Sequence, residues 1–295
     1  MEIMLCTTQW VIAMNTKDKN PVKVIAVSSG KGGVGKTNVS INLSMALSRT
    51  GKDVLLLDAD LGLANVDVLL GLHPLRNLSH VLREECRLND IIIDGPSGIR
   101  IVPAASGVKM MGQLDERQHS SLVHAFDDVT QNTDVLVIDT SAGLVNSVLS
   151  FCAAAQEVLV VVCNEPASIA DAYALIKVLH LDYHVNHFRI VVNMVDERQE
   201  GHGLFRRLVA VCDNYLDVVL ELMAIIPRDE KIVKSVKKQR AVLDCYPGSP
   251  AALEFKKMVD AVDKWPRTVR SRGSVEFFLE QVITAQSLDQ VGSAP

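Results

Sequence analysis

The sequence predicts an α/β fold: a doubly wound, mostly parallel sheet with helices on both faces. Short, continuous apolar runs recur along the chain, as strands buried on both faces do. Stretches with helical patterning lie between these runs, which is the order that builds a parallel sheet. Between the first apolar run and the first helical stretch stands a glycine-rich octapeptide, Gly30-Lys31-Gly32-Gly33-Val34-Gly35-Lys36-Thr37.

The elements follow in order. Val22 to Val27 is the first strand and Asn38 to Leu47 the first helix. Asp53 to Leu57 is a second strand, and Arg100-Ile101-Val102 before Pro103 is a further strand candidate. Asp134 to Ile138, Glu157 to Val162, Phe188 to Val192 and Met223 to Ile226 complete the strands. Helical patterns cover Asp115 to Phe126, Ser168 to Leu181, Leu204 to Asp213, Asp229 to Lys238 and Ala251 to Val262. The alternation runs on without a Pro/Ser/Gly-rich linker, so the 295 residues divide into an arm (1–21), one domain (22–265) and a tail (266–295).

Composition narrows the function classes. No apolar run approaches the length that spans a bilayer, and Met1 to Ala13 lacks the basic start of a signal peptide. Six cysteines without a C-x-x-C pair argue against an iron–sulfur or zinc site and fit reduced cytosolic thiols. A net charge of −5 disfavours non-specific DNA binding unless a local patch compensates, and Lys231, Lys234, Lys237, Lys238 and Arg240 form a modest one.

The octapeptide matches G-x-x-x-x-G-K-[ST] in the required setting of strand, loop and helix. Its glycines let backbone N–H groups turn inward around phosphate, and the helix that begins there adds its positive end. Lys36 is placed for the β- and γ-phosphates, and the Thr37 hydroxyl for Mg²⁺. Two acidic segments follow buried strands further on, Asp58-Ala59-Asp60 and Asp139-Thr140-Ser141-Ala142-Gly143. A lone Asp at a strand end is more often a cap or turn residue. Two of them downstream of a phosphate loop point instead to a metal–nucleotide site.

The string K-G-G-V-G-K-T resembles the deviant Walker A motif of the MinD/ParA family of ATPases. The resemblance implies a P-loop NTPase fold, ATP/ADP and Mg²⁺ as cofactors, and a homodimer with ATP between subunits, Lys31 reaching the partner's phosphates. D-A-D-L-G-L-A-N and D-T-S-A-G are similar to that family's switch segments. By that match Asp58 lies near the metal, Asp60 orients or activates the attacking water, Asp139 is the outer-shell Mg²⁺ residue and Gly143 the γ-phosphate sensor. The nucleotide set then comprises Gly30, Lys31, Gly32, Gly33, Val34, Gly35, Lys36, Thr37, Asn38 and Gly143. Asn193, Pro227, Arg228 and Asp229 stand where the family contacts the base, although either segment also suits a plain strand-end turn. Asp171 falls in a region near the family's dimer and partner surface, a regulatory candidate against the commoner reading of a solvated face.

Longer strings resemble the FleN/FlhG branch: L-L-D-A-D-L-G-L-A-N-V-D-V-L-L-G-L, I-V-P-A-A-S-G, E-P-A-S-I-A-D-A-Y-A-L-I-K, K-K-Q-R-A-V and S-V-E-F-F-L-E. That branch controls flagellar number and placement by antagonising a transcription activator of the FleQ/FlrA type, beside the SRP-type GTPase FlhF. The arm lacks the D-Q-A-x-x-L-R element that stimulates this GTPase, which argues against direct activation. In the tail, Arg267, Arg270 and Arg272 precede an apolar helical face of Val275, Phe278, Leu279 and Val282, with Phe277 and Ile283 at its edges. It reads as a membrane-surface helix or as a helix docked on the core. The expected location is the cytoplasm, with reversible attachment to the inner face of the cell membrane, including a pole. A ParA-like partitioning ATPase bound to non-specific DNA is the alternative function; no sequence-specific nucleic-acid contact is expected.

Overall fold

A computed structural model describes residues 22–60, 65–103, 126, 129–130 and 132–265. The arm, most of the Asp115 to Phe126 pattern, and the tail residues Val275, Phe277, Phe278, Leu279, Val282 and Ile283 lie outside them. Eight strands form one sheet in the order β3-β4-β2-β5-β1-β6-β7-β8. They are β1 (Lys23–Ser29), β2 (Val54–Ala59), β3 (Ile93–Asp94), β4 (Arg100–Pro103), β5 (Val135–Ala142), β6 (Glu157–Cys163), β7 (His187–Val195) and β8 (Val219–Pro227). All neighbours run parallel except the short edge strand β3 against β4. The central strands are buried along nearly their whole length, which is why they carry Val, Ile and Leu on both faces instead of alternating.

The helices among the described residues are α1 (Lys36–Ser48), α2 (Val66–Leu70), α3 (Leu78–Leu82), α4 (Asn146–Ala154), α5 (Pro166–Tyr183), α6 (Arg198–Asp213), α7 (Glu230–Val236), α8 (Val242–Cys245) and α9 (Pro250–Lys264). One apolar cluster joins α1, α8 and α9 to one face of the sheet. Clusters on the other face take in α3 and α4, and then α4, α5 and α6. Helix α1 is buried along almost all of its length, so it lacks the one-sided stripe of a surface helix. Among the described residues no helix is long and apolar enough to cross a membrane.

Several boundaries differ from the sequence reading. Helices α2, α3, α4 and α8 and strand β3 had no counterpart in the pattern: four are of at most five residues, and α4 is apolar on most sides. Strand β5 runs on to Ala142, so Asp139 lies inside a strand and not just after one that ends at Ile138. Asp58 lies inside β2 for the same reason, since pairing with β5 continues through Asp58↔Asp139. At the opposite end of the sheet, the Arg189 guanidinium is buried against Glu157 (Nε–Oε2 3.0 Å) and stacks 4.8 Å from the Trp265 ring. Lys23 donates to the Val262 carbonyl (2.7 Å), so the end of α9 is tied to the start of β1.

Candidate nucleotide site

The octapeptide joins the carboxyl end of β1 to α1, beside the carboxyl ends of β5 and β6, the position at which open α/β sheets bind ligands. Its shape is fixed from two sides. A Cβ on Gly30 would sit 2.1 Å from the backbone oxygen of Asp171, so α5 presses directly on the loop. Gly35 has φ +89°, and a Cβ there would meet the Asn193 Nδ2 at 2.5 Å. Asn193 in turn donates from Nδ2 to the Val34 carbonyl (2.8 Å). The β7–β8 register breaks between Val192 and Val195, and Met194 takes φ +58°. A left-handed backbone at a non-glycine residue costs about 1 kcal/mol or more. Here the irregularity accompanies an Asn193 side chain held under the loop, the kind of re-aiming that bulges provide.

The acidic pair stands side by side on β2 and β5. Asp139 is fully buried and accepts from the Ser40 hydroxyl (2.8 Å) one turn into α1. Burial pushes its carboxyl up to about 6, against the opposing pull of the Ser40 and Thr37 hydroxyls and the Lys36 ammonium. Asp58 is pushed up to about 7, first by burial and then by the charge of Asp139. Its carboxylate accepts the N–H groups of Asp60 (3.1 Å), Asn65 (3.2 Å) and Val66 (3.3 Å). Asp60 accepts from Asn65 Nδ2 (3.3 Å). Two buried atoms here have no hydrogen-bond partner, Asp139 Oδ2 and Asn193 Oδ1. Such orphans are rare away from ligand sites. The first, flanked by Thr37 and Asp58, fits a hydrated divalent cation, which would let both carboxylates ionise together. The second is an acceptor suited to an amino group such as that of adenine.

The remaining candidates divide. Thr37 and Asn38 occupy the first turn of α1, and Lys36 is buried there. Gly32 and Gly33 are exposed in the loop and Val34 is buried. Gly143 reaches the loop strand, but its N–H is bonded to the Ser29 carbonyl (2.9 Å), so sensing a phosphate requires that bond to open. Pro227 ends β8, and Arg228 turns to Asp196 (3.0 Å) and the Met194 carbonyl (3.3 Å). Both Asp229 oxygens accept backbone N–H groups, of Lys231 (2.8 Å) and Ala251 (3.2 Å), so this carboxylate joins the starts of α7 and α9.

Sequence reasoning missed two residues. Ser40 was hidden as one more polar residue of a helix. Glu165, the residue before α5, pairs through its carboxylate with the Lys31 ammonium of the same chain. The Glu-Pro pair there reads only as a helix start.

A glycine loop on a helix start, a buried lysine, a hydroxyl and two paired carboxylates define a Mg²⁺-dependent nucleoside-triphosphate site of the P-loop class. Comparison with known proteins sharpens the class. The AAA domain family matches residues 22–189. Antiactivator FleN of Pseudomonas aeruginosa is 54% identical over 264 residues, 90% of this chain and 94% of that protein. The flagellum site-determining protein YlxH of Helicobacter pylori is 32% identical over 77% of this chain and 76% of its own length. Among solved structures, the septum site-determining protein MinD complexed with Mg-ADP from Pyrococcus horikoshii superposes with a TM-score of 0.64 at 26% identity, covering 82% of this chain and 96% of that one. The chain belongs to the MinD/ParA-type ATPases, in the branch that contains FleN.

Proposed function

We propose that this ATPase is a dimerising switch that restrains a flagellar transcription activator of the FleQ/FlrA type, with slow ATP hydrolysis as its reset. ATP/ADP and Mg²⁺ are its cofactors. The observation that carries the switch is Lys31: a cation at the mouth of the phosphate loop, partly exposed, whose ammonium pairs with the Glu165 carboxylate at the surface. A lysine there is free to exchange Glu165 for a stronger anion, and the phosphates of a second subunit are that anion. The identity to an antiactivator over nine-tenths of the chain supports the regulatory reading.

Mg²⁺, when bound, supplies charge neutralisation at the β- and γ-phosphates; Thr37 would hold it directly, with Asp139 and Asp58 behind it. The chain's own residues do the rest. The loop amides and Lys36 bind and orient the phosphates, and Asp60 positions the attacking water. Phosphoryl transfer depends mostly on such positioning and charge stabilisation, so this small set suffices for a slow timer. Asn193 offers its free Oδ1 to the base, and Asp171, whose backbone touches the loop, is in place to relay loop state to α5. We further propose that the tail face of Val275, Phe278 and Leu279 attaches the dimer to the membrane surface.

Size-exclusion chromatography with and without ATP, alone and with the flagellar activator, tests the reading. The expected result is a dimer with ATP that co-elutes with the activator, and a Lys31→Ala variant that binds ATP yet stays monomeric. A Lys31→Ala variant that dimerises at wild-type affinity would end the proposed role of that lysine.

A further inference from the structure

Asp58 holds more than the cleft. Its Oδ2 accepts the Asn65 and Val66 N–H groups, so the carboxylate fixes the start of α2. The far end of α2 closes at Gly71, with φ +64°, against Gln239: a Cβ on Gly71 would lie 3.1 Å from the Gln239 Cβ. Gln239 Nε2 also donates to the Val68 carbonyl (3.4 Å). Gln239 itself takes φ +54° in the turn between α7 and α8. One short path therefore leads from the buried carboxylate, along a single helical turn, to that corner.

The corner is cationic and partly apolar. Lys231, Lys234, Lys237, Lys238 and Arg240 are all exposed. Val233 is 57% exposed on α7 and Val68 60% exposed on α2. The Tyr246 ring lies 5.1 Å from the Lys231 ammonium and 5.3 Å from that of Lys238. Carboxylates interrupt the patch: Glu230 pairs with Lys234 (3.0 Å) and Asp244 with Arg240 (3.2 Å). A continuous phosphate backbone would meet these as repulsion. Separate carboxylates around an apolar side chain would not, because each can take one lysine while the apolar group covers Val233.

We propose that the α7–α8 corner binds an acidic, amphipathic protein segment, and that nucleotide sets the strength of that grip through Asp58, α2 and Gln239. The proposal rests on the reading that Mg²⁺ and ATP occupy the phosphate loop. Charge arriving at the cleft draws on the same Asp58 carboxylate that holds Asn65 and Val66. Loosening those bonds shifts α2, and the shift passes to Gln239 through Gly71 and the Val68 carbonyl.

The test uses the full chain and a fluorescein-labelled peptide of alternating Glu-Glu and Leu-Leu pairs, read by anisotropy with and without a non-hydrolysable ATP analogue and Mg²⁺. Binding should weaken by at least about tenfold, or about 1.4 kcal/mol, in a Lys234→Glu, Lys237→Glu, Lys238→Glu variant whose ATPase rate is unchanged. Peptides with Gln for Glu, or Ser for Leu, should lose affinity similarly. Nucleotide should change the wild-type affinity by about fivefold, and Gln239→Ala should erase that change while leaving peptide binding itself. Affinity indifferent to the triple substitution, or duplex DNA or anionic vesicles held by these lysines in place of the peptide, overturns the partner. A nucleotide effect that survives Gln239→Ala overturns the path. A fluorescent ATP analogue titrated into the same samples separates the failures: nucleotide bound without any change in peptide affinity sinks the inference alone, and no nucleotide bound sinks the reading beneath it as well.

Discussion

Replacing Asp139 by Asn should make the nucleotide-free protein more stable and Mg²⁺-dependent nucleotide binding worse. Asp139 is fully buried, accepts one hydrogen bond, from Ser40, and has an orphaned Oδ2. Its carboxyl is raised from 3.8 to about 6, and each unit is worth about 1.4 kcal/mol, so keeping it ionised in the fold costs up to about 3 kcal/mol. The sign is that of a raised carboxyl. The native state holds more protons than the unfolded chain between roughly pH 4 and 6, so stability falls as pH rises through that window and stays low above it. Asp58, raised to about 7 partly by the Asp139 charge, adds to the same loss and is relieved by the same substitution. Asn can keep the Ser40 bond through its oxygen. At roughly 2 °C per kcal/mol for a domain of this size, Asp139→Asn should melt about 5 °C above wild type near pH 8 without Mg²⁺, and the gain should fall to about half near pH 5 and vanish below about pH 4, where the wild-type carboxyl is protonated in the folded and the unfolded chain alike. Circular-dichroism melts across pH measure this, and calorimetry of ATP with Mg²⁺ should show the affinity lost. A variant that melts lower than wild type near pH 8, or whose difference ignores pH, refutes the reasoning.

Other expectations test the remaining assignments. Asp60→Ala should keep ATP affinity within about threefold and lower turnover by about a hundredfold or more, read by phosphate release against fluorescent-nucleotide binding; normal turnover removes Asp60 from catalysis. Gly30→Ala must push back the Asp171 carbonyl, 2.1 Å from the new methyl, and should cost about 1–3 kcal/mol in urea unfolding as well as nucleotide affinity. Deleting residues 275–295 should abolish sedimentation with anionic liposomes in ATP while leaving the ATPase rate intact; unchanged sedimentation would reduce the tail to packing.

The sheet was legible because its strands are buried on both faces and read as unbroken apolar runs, as Leu55 to Leu57 and Val158 to Val162 do. The phosphate loop was legible because its spacing is imposed by the anion. What escaped depends on pairing, which one-dimensional periodicity does not record. Nothing in Ile138 to Thr140 signals that β5 continues through Asp139, because its neighbours Val27 on β1 and Asp58 on β2 keep it in register. Asn193 likewise looked like a strand end. Its environment is made by a bulge and a left-handed Met194, neither of which composition reveals. Helix α4 was lost for the opposite reason: buried on most sides, it carries no polar face to mark its period.

The Lys31–Glu165 pair bears on how the proposed switch would rest. Both side chains lie at the surface, and each holds the other's charged form: the Lys31 pKa is raised by the hydrogen bond and charge of Glu165, and the Glu165 pKa is lowered in turn. Exposed pairs of this sort are weak and screened by salt. A strong pair would keep the monomer closed to a partner, and no partner at all would leave a flexible cation to be ordered at full entropic cost. An exposed, exchangeable carboxylate lies between these limits. It holds Lys31 at the loop mouth, and in the proposed switch it would yield to a triphosphate, which offers more charge in a drier site. By the same comparison ADP, with one phosphate fewer, competes less well for Lys31. In the switch proposed above, hydrolysis would therefore return the lysine to Glu165 and release the dimer, with no rearrangement needed in the sheet beneath.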